Sequence, residues 1–338
     1  MDERQVDERQ VDERQAGDPH VDEPRAGAGE RRTGTARCGP LDLSDAATPS
    51  AGELPGEVVD ALVRAAARSQ AYDGPEPEAA GAAVVPGRRT VIKVQHRRHE
   101  TLAVCLGYER VRVAAGIPAP ALLDHGEILA GGERRWWTVL ERVPGSHGGG
   151  GPLLPRRQRL VCAAMRRWHD RAPAVGRRLD APGTAAMFFG EIRLRDPACA
   201  LRLVAALDRA CRGAPMTAIH GDMAVGHNVL FTGGRLRAVL DPGAIQVGPP
   251  MLDLAWCIAV DLGLGGTVES AVAGYGAGVD HEQLDRLLPL MLARRRFDLL
   301  NQRRSVAAQR LAAQLRTRRP ELLSWLPPPD PMPSGTHR

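Results

Sequence analysis

Lysine is almost missing from this chain: among 338 residues it occurs once, at Lys93. Asparagine occurs twice, at Asn228 and Asn301, and aromatic residues make up only 4%. The six cysteines (Cys38, Cys105, Cys162, Cys199, Cys211, Cys257) are widely spaced and include no Cys-x-x-Cys pair. Their plain reading is reduced thiols in a cytoplasmic protein. No apolar run reaches the length of a membrane span, and the N-terminus is charged rather than built like a signal peptide,. Few aromatics means few platforms for base stacking, and the arginines are scattered through helices among 40 acids. Nucleic acid is therefore not the expected partner.

The chain is rich in Arg, Ala, Gly and Pro, with lysine plus arginine totalling 45 and a formal net charge of +5. Since arginine serves wherever a generic positive charge suffices, the lone Lys93 marks a position that wants a compact ammonium rather than a planar fork. Hydrophobic residues at 43% suit a globular protein long enough for two lobes,.

Residues 2–15 repeat Asp-Glu-Arg-Gln three times, and Gly-, Pro- and charge-rich sequence follows. Segment 1–55 has no apolar face to bury and is expected to be disordered. From Gly56 to Ser69 the spacing of Val58, Val59, Leu62, Val63 and Ala66 predicts an amphipathic helix. Two β-branched runs, residues 82–85 and 90–94, flank Pro86-Gly87-Arg88-Arg89 and predict a hairpin with Lys93 in its second strand. A helix is expected over 98–115, ended by Gly116, then strands at 122–129 and 136–140. The Gly148–Gly151 run reads as a flexible insertion. Helices are expected at about 160–169 and 201–212, and after residue 253 at 253–262, 267–275, 282–296 and 298–316. Residues 173–200 give no clear pattern, and the Pro-rich tail 327–338 is expected to be loose.

The stretch most loaded with chemistry is Ala218-Ile219-His220-Gly221-Asp222-Met223-Ala224-Val225-Gly226-His227-Asn228-Val229-Leu230-Phe231. After a Gly233-Gly234 turn, Leu236–Leu240 runs into Asp241-Pro242-Gly243. Two strands joined by that turn would set Asp222, Asn228 and Asp241 at one mouth. Hard oxygen ligands there suit Mg²⁺ and a phosphate, and one acid remains to orient an attacking hydroxyl. Those are the parts of a phosphoryl-transfer site.

His-Gly-Asp, a following Asn, a strand and Asp-Pro-Gly resemble the catalytic core of the aminoglycoside phosphotransferase and choline kinase-like family. The resemblance continues through Asp253 and spans residues 82 to about 300. It implies an α+β, bilobal protein-kinase-like fold, with a β-rich nucleotide-binding lobe at 56–143 and a mainly helical lobe at 144–326. It implies ATP and Mg²⁺, with Asp222 as the catalytic acid-base residue and Asn228 and Asp241 on the metal. Lys93 would hold the nucleotide phosphates and pair with a helix Glu, either Glu100 or Glu109, Glu100 being preferred. His220 would prop the loop, Asp253 would brace it from below, and His169 would be structural. The segment Leu140–Gly145 corresponds to the linker whose backbone meets the adenine. The expected reaction is transfer of the γ-phosphate to a hydroxyl of a small molecule, such as an aminoglycoside-like antibiotic, an amino-alcohol or a sugar.

The pattern departs from the family in three places. Asn228 stands one residue later than the usual spacing, so the loop bulges, with Gly226 supplying an unusual backbone angle and His227 facing solvent, or else His227 takes the metal position. Pro242 stands where an aromatic is usual, and no Gly-rich phosphate loop precedes Lys93. The missing Gly-rich loop and the shifted Asn228 leave a catalytically degenerate kinase-like binding or regulatory module as the alternative. Asp261, Glu269, Asp280 and Glu282 are the acids available to a cationic substrate.

Overall fold

A computed structural model describes residues 55–74, 84–95, 102–130, 132–172, 177–178, 189–241 and 246–326. All of the expected disordered segment but Pro55, the tail after 326, Glu100 and Pro242 lie outside the described residues.

The helix expected near residue 56 is α1 (Gly56–Ala67). Its apolar face, Val58, Val59, Leu62, Val63 and Ala66, closes a small core with Ile92, Val94 and Val139. Those three come from an antiparallel sheet of β1 (Val84–Pro86), β2 (Thr90–Val94), β3 (Leu122–Ala130) and β4 (Glu133–Glu141), in the order β1-β2-β4-β3. Register pairs Lys93 with Val84 on one side and Thr138 on the other. Lys93 is thus fixed in a strand flanked by two neighbours. Between the strand pairs runs α2 (Leu102–Ala115), ended by Gly116 at φ 59°. The left-handed angle there is one that glycine adopts freely.

The second, larger core is helical. Its members are α3 (Leu154–Arg171), α4 (Gly190–Arg195), α5 (Pro197–Cys211), α6 (Pro250–Leu264), α7 (Val268–Tyr275), α8 (His281–Asn301), α9 (Ser305–Arg318) and α10 (Glu321–Trp325). Two small β units are set among them. One is β5 (Arg177–Arg178), β6 (Thr217–Ile219) and β9 (Gln246–Gly248), in the order β5-β9-β6; the other is the hairpin of β7 (Val229–Thr232) and β8 (Arg235–Val239). α6 is buried almost all round, which identifies it as the central helix of this core,. A small antiparallel-sheet lobe and a helical lobe thus make up the fold, as expected.

Three expectations need correction. Helix α8 runs unbroken from His281 to Asn301, with Pro289 inside it, instead of stopping at 296. The break falls at Gln302-Arg303-Arg304, where Arg303 takes φ 57°. Within the unassigned stretch, Asp196 caps α5 by accepting from the Cys199 amide at 2.8 Å,. Gly148 belongs to no free insertion. Its amide donates to Val225 O at 3.2 Å, and its carbonyl accepts from the Arg157 guanidinium.

Candidate active site

The loop after β6 is shaped from below by α6. Asp253, fully buried on the first turn of that helix, accepts from the amides of His220 and Gly221, both at 2.7 Å. It also accepts from His169 Nε2 at 3.1 Å, whose Nδ1 takes the Tyr275 hydroxyl at 2.8 Å. Two successive amides can turn toward one carboxylate because Gly221 sits at φ 82°,. The ring of His220 spans the loop, with Nε2 donating to Leu240 O at 2.9 Å and Nδ1 accepting from the Asp222 amide at 3.3 Å.

Asp222 therefore emerges from a rigid turn. Its Oδ1 accepts from Trp256 Nε1 at 2.7 Å and lies 3.3 Å from His227 Nδ1; its Oδ2 accepts from Asn228 Nδ2 at 2.8 Å. Burial would raise its pKa, but the His227 hydrogen bond and charge, the Trp256 donor and the His220 charge outweigh it. The carboxyl is held below its ordinary range,. It remains one-third exposed, so an incoming group can still reach it.

Asn228 and Asp241 flank the β7–β8 hairpin at matched ends, tied by Leu240 N donating to Asn228 O at 2.7 Å. Both adopt the left-handed region, at φ 52° and 53°. Asn and Asp are the non-glycine residues that tolerate this region best. Lys93 reaches across from the sheet lobe, its Nζ bonded to Asp241 Oδ1. The Lys93 side chain is nine-tenths buried, whereas Asp241 is almost half exposed.

The structure thus brings together Asp222, Asn228, Asp241, Lys93, His220 and Asp253. Glu109 instead bonds Arg112 on its own helix. For Mg²⁺ the donor set fits in kind. Asn228 uses its amide nitrogen on Asp222, which leaves its carbonyl oxygen and the exposed carboxylate of Asp241 as oxygen donors. Mg²⁺ favours such a partial set, completed by phosphates and water. Among the described residues no three His, Cys, Asp or Glu side chains converge as a closed metal cage.

The loop makes a tight turn, with Ala224 and His227 exchanging backbone bonds at 2.9 and 3.3 Å. Contrary to expectation, the unusual angle falls on Asn228 and not on Gly226. Gly226 is required by close approach: a Cβ there would stand 2.4 Å from Leu264 Cδ1. His227 is one-third exposed and also contacts the Asp222 carboxylate.

Asp261 also differs from expectation. Fully buried on α6, two turns beyond Asp253, it accepts from the Val225 amide at 3.1 Å and from Cys257 Sγ at 3.6 Å. Desolvation outweighs these bonds and pushes its pKa up to about 7. It anchors the turn that carries Asp222 and is closed to any substrate. The indole of Trp256 and the true role of Asp261 escape sequence reading, since an indole and an acid on an apolar helix carry no local mark of what they face.

The sequence model of the phosphotransferase enzyme family matches residues 82–290. Among solved structures, the chain is 23% identical to an aminoglycoside-3'-phosphotransferase of type VIII, over 69% of this chain and 99% of that one, with a TM-score of 0.49. It is 20% identical to an aminoglycoside phosphotransferase of Streptomyces rimosus, over 74% and 96%, with a TM-score of 0.46. A choline/ethanolamine kinase family protein of Mesorhizobium loti is 16% identical, over 79% and 97%, with a TM-score of 0.49. No curated protein matches by sequence.

Proposed function

We propose that this chain, which belongs to the phosphotransferase enzyme family, is an ATP-dependent kinase that phosphorylates a hydroxyl of a small molecule. The observation that carries this reading is the Asp222 carboxylate, kept ionised chiefly by His227 and Trp256 and held by Asn228 while still one-third open. An acid so held can accept the proton-bearing side of a hydroxyl and orient its oxygen for in-line attack. Asp253 and Asp261 keep that carboxylate in place by gripping the loop amides on either side of it.

Lys93 would leave Asp241 to meet the nucleotide phosphates, a task for a compact ammonium,. Asn228 and Asp241 would hold Mg²⁺, which when bound supplies positive charge against the phosphates. Substrate would enter over the helical lobe. Among the described residues no helix is long and apolar enough to cross a membrane. The free, buried thiols Cys162, Cys199, Cys211 and Cys257 suit the reducing cytoplasm,.

One observation favours the rival reading of a silent nucleotide-binding module. At the β1–β2 turn, where a kinase would present amides to phosphate, the Arg89 amide is already taken by Asp73, at 2.9 and 3.1 Å. The separating experiment is ADP release from ATP and Mg²⁺ over a panel of hydroxylated acceptors, with wild type and Asp222→Asn. Transfer should fall about 10²–10⁴-fold in the variant while nucleotide affinity is kept. Equal turnover in both would remove Asp222 from the chemistry.

A further inference from the structure

We propose that the acceptor carries an anionic group beside its reacting hydroxyl, received by Arg294 and Arg295 of α8; this rests on the kinase reading above. Trp256 hands its N–H to the Asp222 carboxylate at 2.7 Å, and the same ring carries the Arg294 guanidinium 4.4 Å from its centroid. One indole separates the catalytic acid from that cation.

Its neighbour Arg295 is only 3% exposed, yet its Nε is buried with no hydrogen-bond partner. Among the described residues no carboxylate comes within ion-pair distance of it. Burial lowers its pKa, Asp298 and Asp222 offset this in part, and Arg304 and Arg294 add like charge. A buried guanidinium with an open donor is costly unless something fills it. The planar fork matches a carboxylate or a phosphate.

Asp298 stands one turn along α8 from the pair and offsets Arg295 only in part; the other acids open to a cation are elsewhere. Asp280 caps α8 through the Gln283 amide at 2.9 Å, and Glu282 pairs with Arg286 at 3.3 Å. Both lie roughly 20 Å along that helix from Arg294, at 1.5 Å per residue. Glu269 opens α7, which packs against α3, and Asp261 is sealed beneath the loop. A cationic acceptor would meet the charges of Arg294 and Arg295, offset only in part by Asp298 one turn along the helix,.

The test is a ligand-detected titration, with ADP and Mg²⁺ present, of four probes that share a diol: glycerate, glycerol 3-phosphate, glycerol and 3-amino-1,2-propanediol. The anionic probes should bind, whereas the neutral and ammonium probes should bind at least tenfold more weakly. Whichever anion binds better identifies the group as carboxylate or phosphate. Arg295→Gln, and independently the half-buried Arg294→Gln, should weaken the anionic probes roughly tenfold to a hundredfold while ADP affinity holds. Preference for the ammonium probe, no binding of either anion, or unchanged anion affinity in both variants overturns the inference. Nucleotide binding is read separately in the same samples, so a chain that binds the anions but no ADP sinks the kinase reading and leaves the arginine site standing.

Discussion

Asp261→Asn should change the pH dependence of stability in a direction fixed by its burial. The carboxyl sits under the catalytic turn with its pKa moved from an ordinary 3.8 to about 7, chiefly by desolvation. The folded state therefore holds a proton that the unfolded chain has released. Stability from this group is fully present below about pH 4, falls as pH rises toward 7, and stays low above it. At about 1.4 kcal/mol for each pH unit, the loss amounts to about 4 kcal/mol, a large share of a stability of about 5–15 kcal/mol. Asparagine keeps an acceptor for the Val225 amide and cannot ionise. Urea unfolding of both proteins from pH 4 to pH 8 should give curves that diverge, the variant gaining on wild type through this window and plateauing above pH 7. Parallel curves would show that Asp261 reaches water, and would refute the closed brace.

Asp253→Ala strips the partner from two buried loop amides and from His169. At about 1–3 kcal/mol for each of these three orphaned donors,, chemical denaturation should show a loss of about 3–9 kcal/mol, and a loss below about 1 would contradict the geometry. Asn228→Ala should raise the Mg²⁺ concentration needed for half-maximal activity at least tenfold; if His227→Ala does this instead, the metal position lies one residue earlier. His227→Ala should shift the acid limb of the kcat/KM profile to higher pH, because His227 helps hold the Asp222 pKa down; an unmoved limb would show that the contact carries no charge. Gly148→Ala would put a methyl group 2.2 Å from Val225 Cγ1 and should cost about 1–3 kcal/mol by overpacking, read from the thermal midpoint, with a neutral result implying that the segment yields freely.

Much of this architecture is legible in the chain because it is written in short-range pattern. The face of α1, the hairpin around Gly87 and the strands after the catalytic loop follow from spacings of two to four residues. Ordered along the chain, Asp222, Asn228, Asp241 and Asp253 carry the pattern expected of a phosphoryl-transfer site, and Lys93 is conspicuous for being the only lysine. The partnership of Lys93 with Asp241, 148 residues apart, requires the two lobes to face one another.

What spacing cannot show is which side chain a buried helix turns toward a distant loop. On α6 nearly every residue is buried, so no amphipathic stripe distinguishes Trp256 or Asp261 from their apolar neighbours,. Their roles exist only because the turn bearing Asp222 lies across that helix, putting an indole N–H and a carboxylate where loop groups need partners. The angle at Asn228 and the sterics at Gly226 were likewise decided by packing: the turn closes against Leu264, 38 residues later in the chain, and the strain moves to the side chain that tolerates it,. Arg294 and Arg295 read as ordinary members of an arginine-rich helix until tertiary structure seals one from water and lays the other on the ring that serves Asp222.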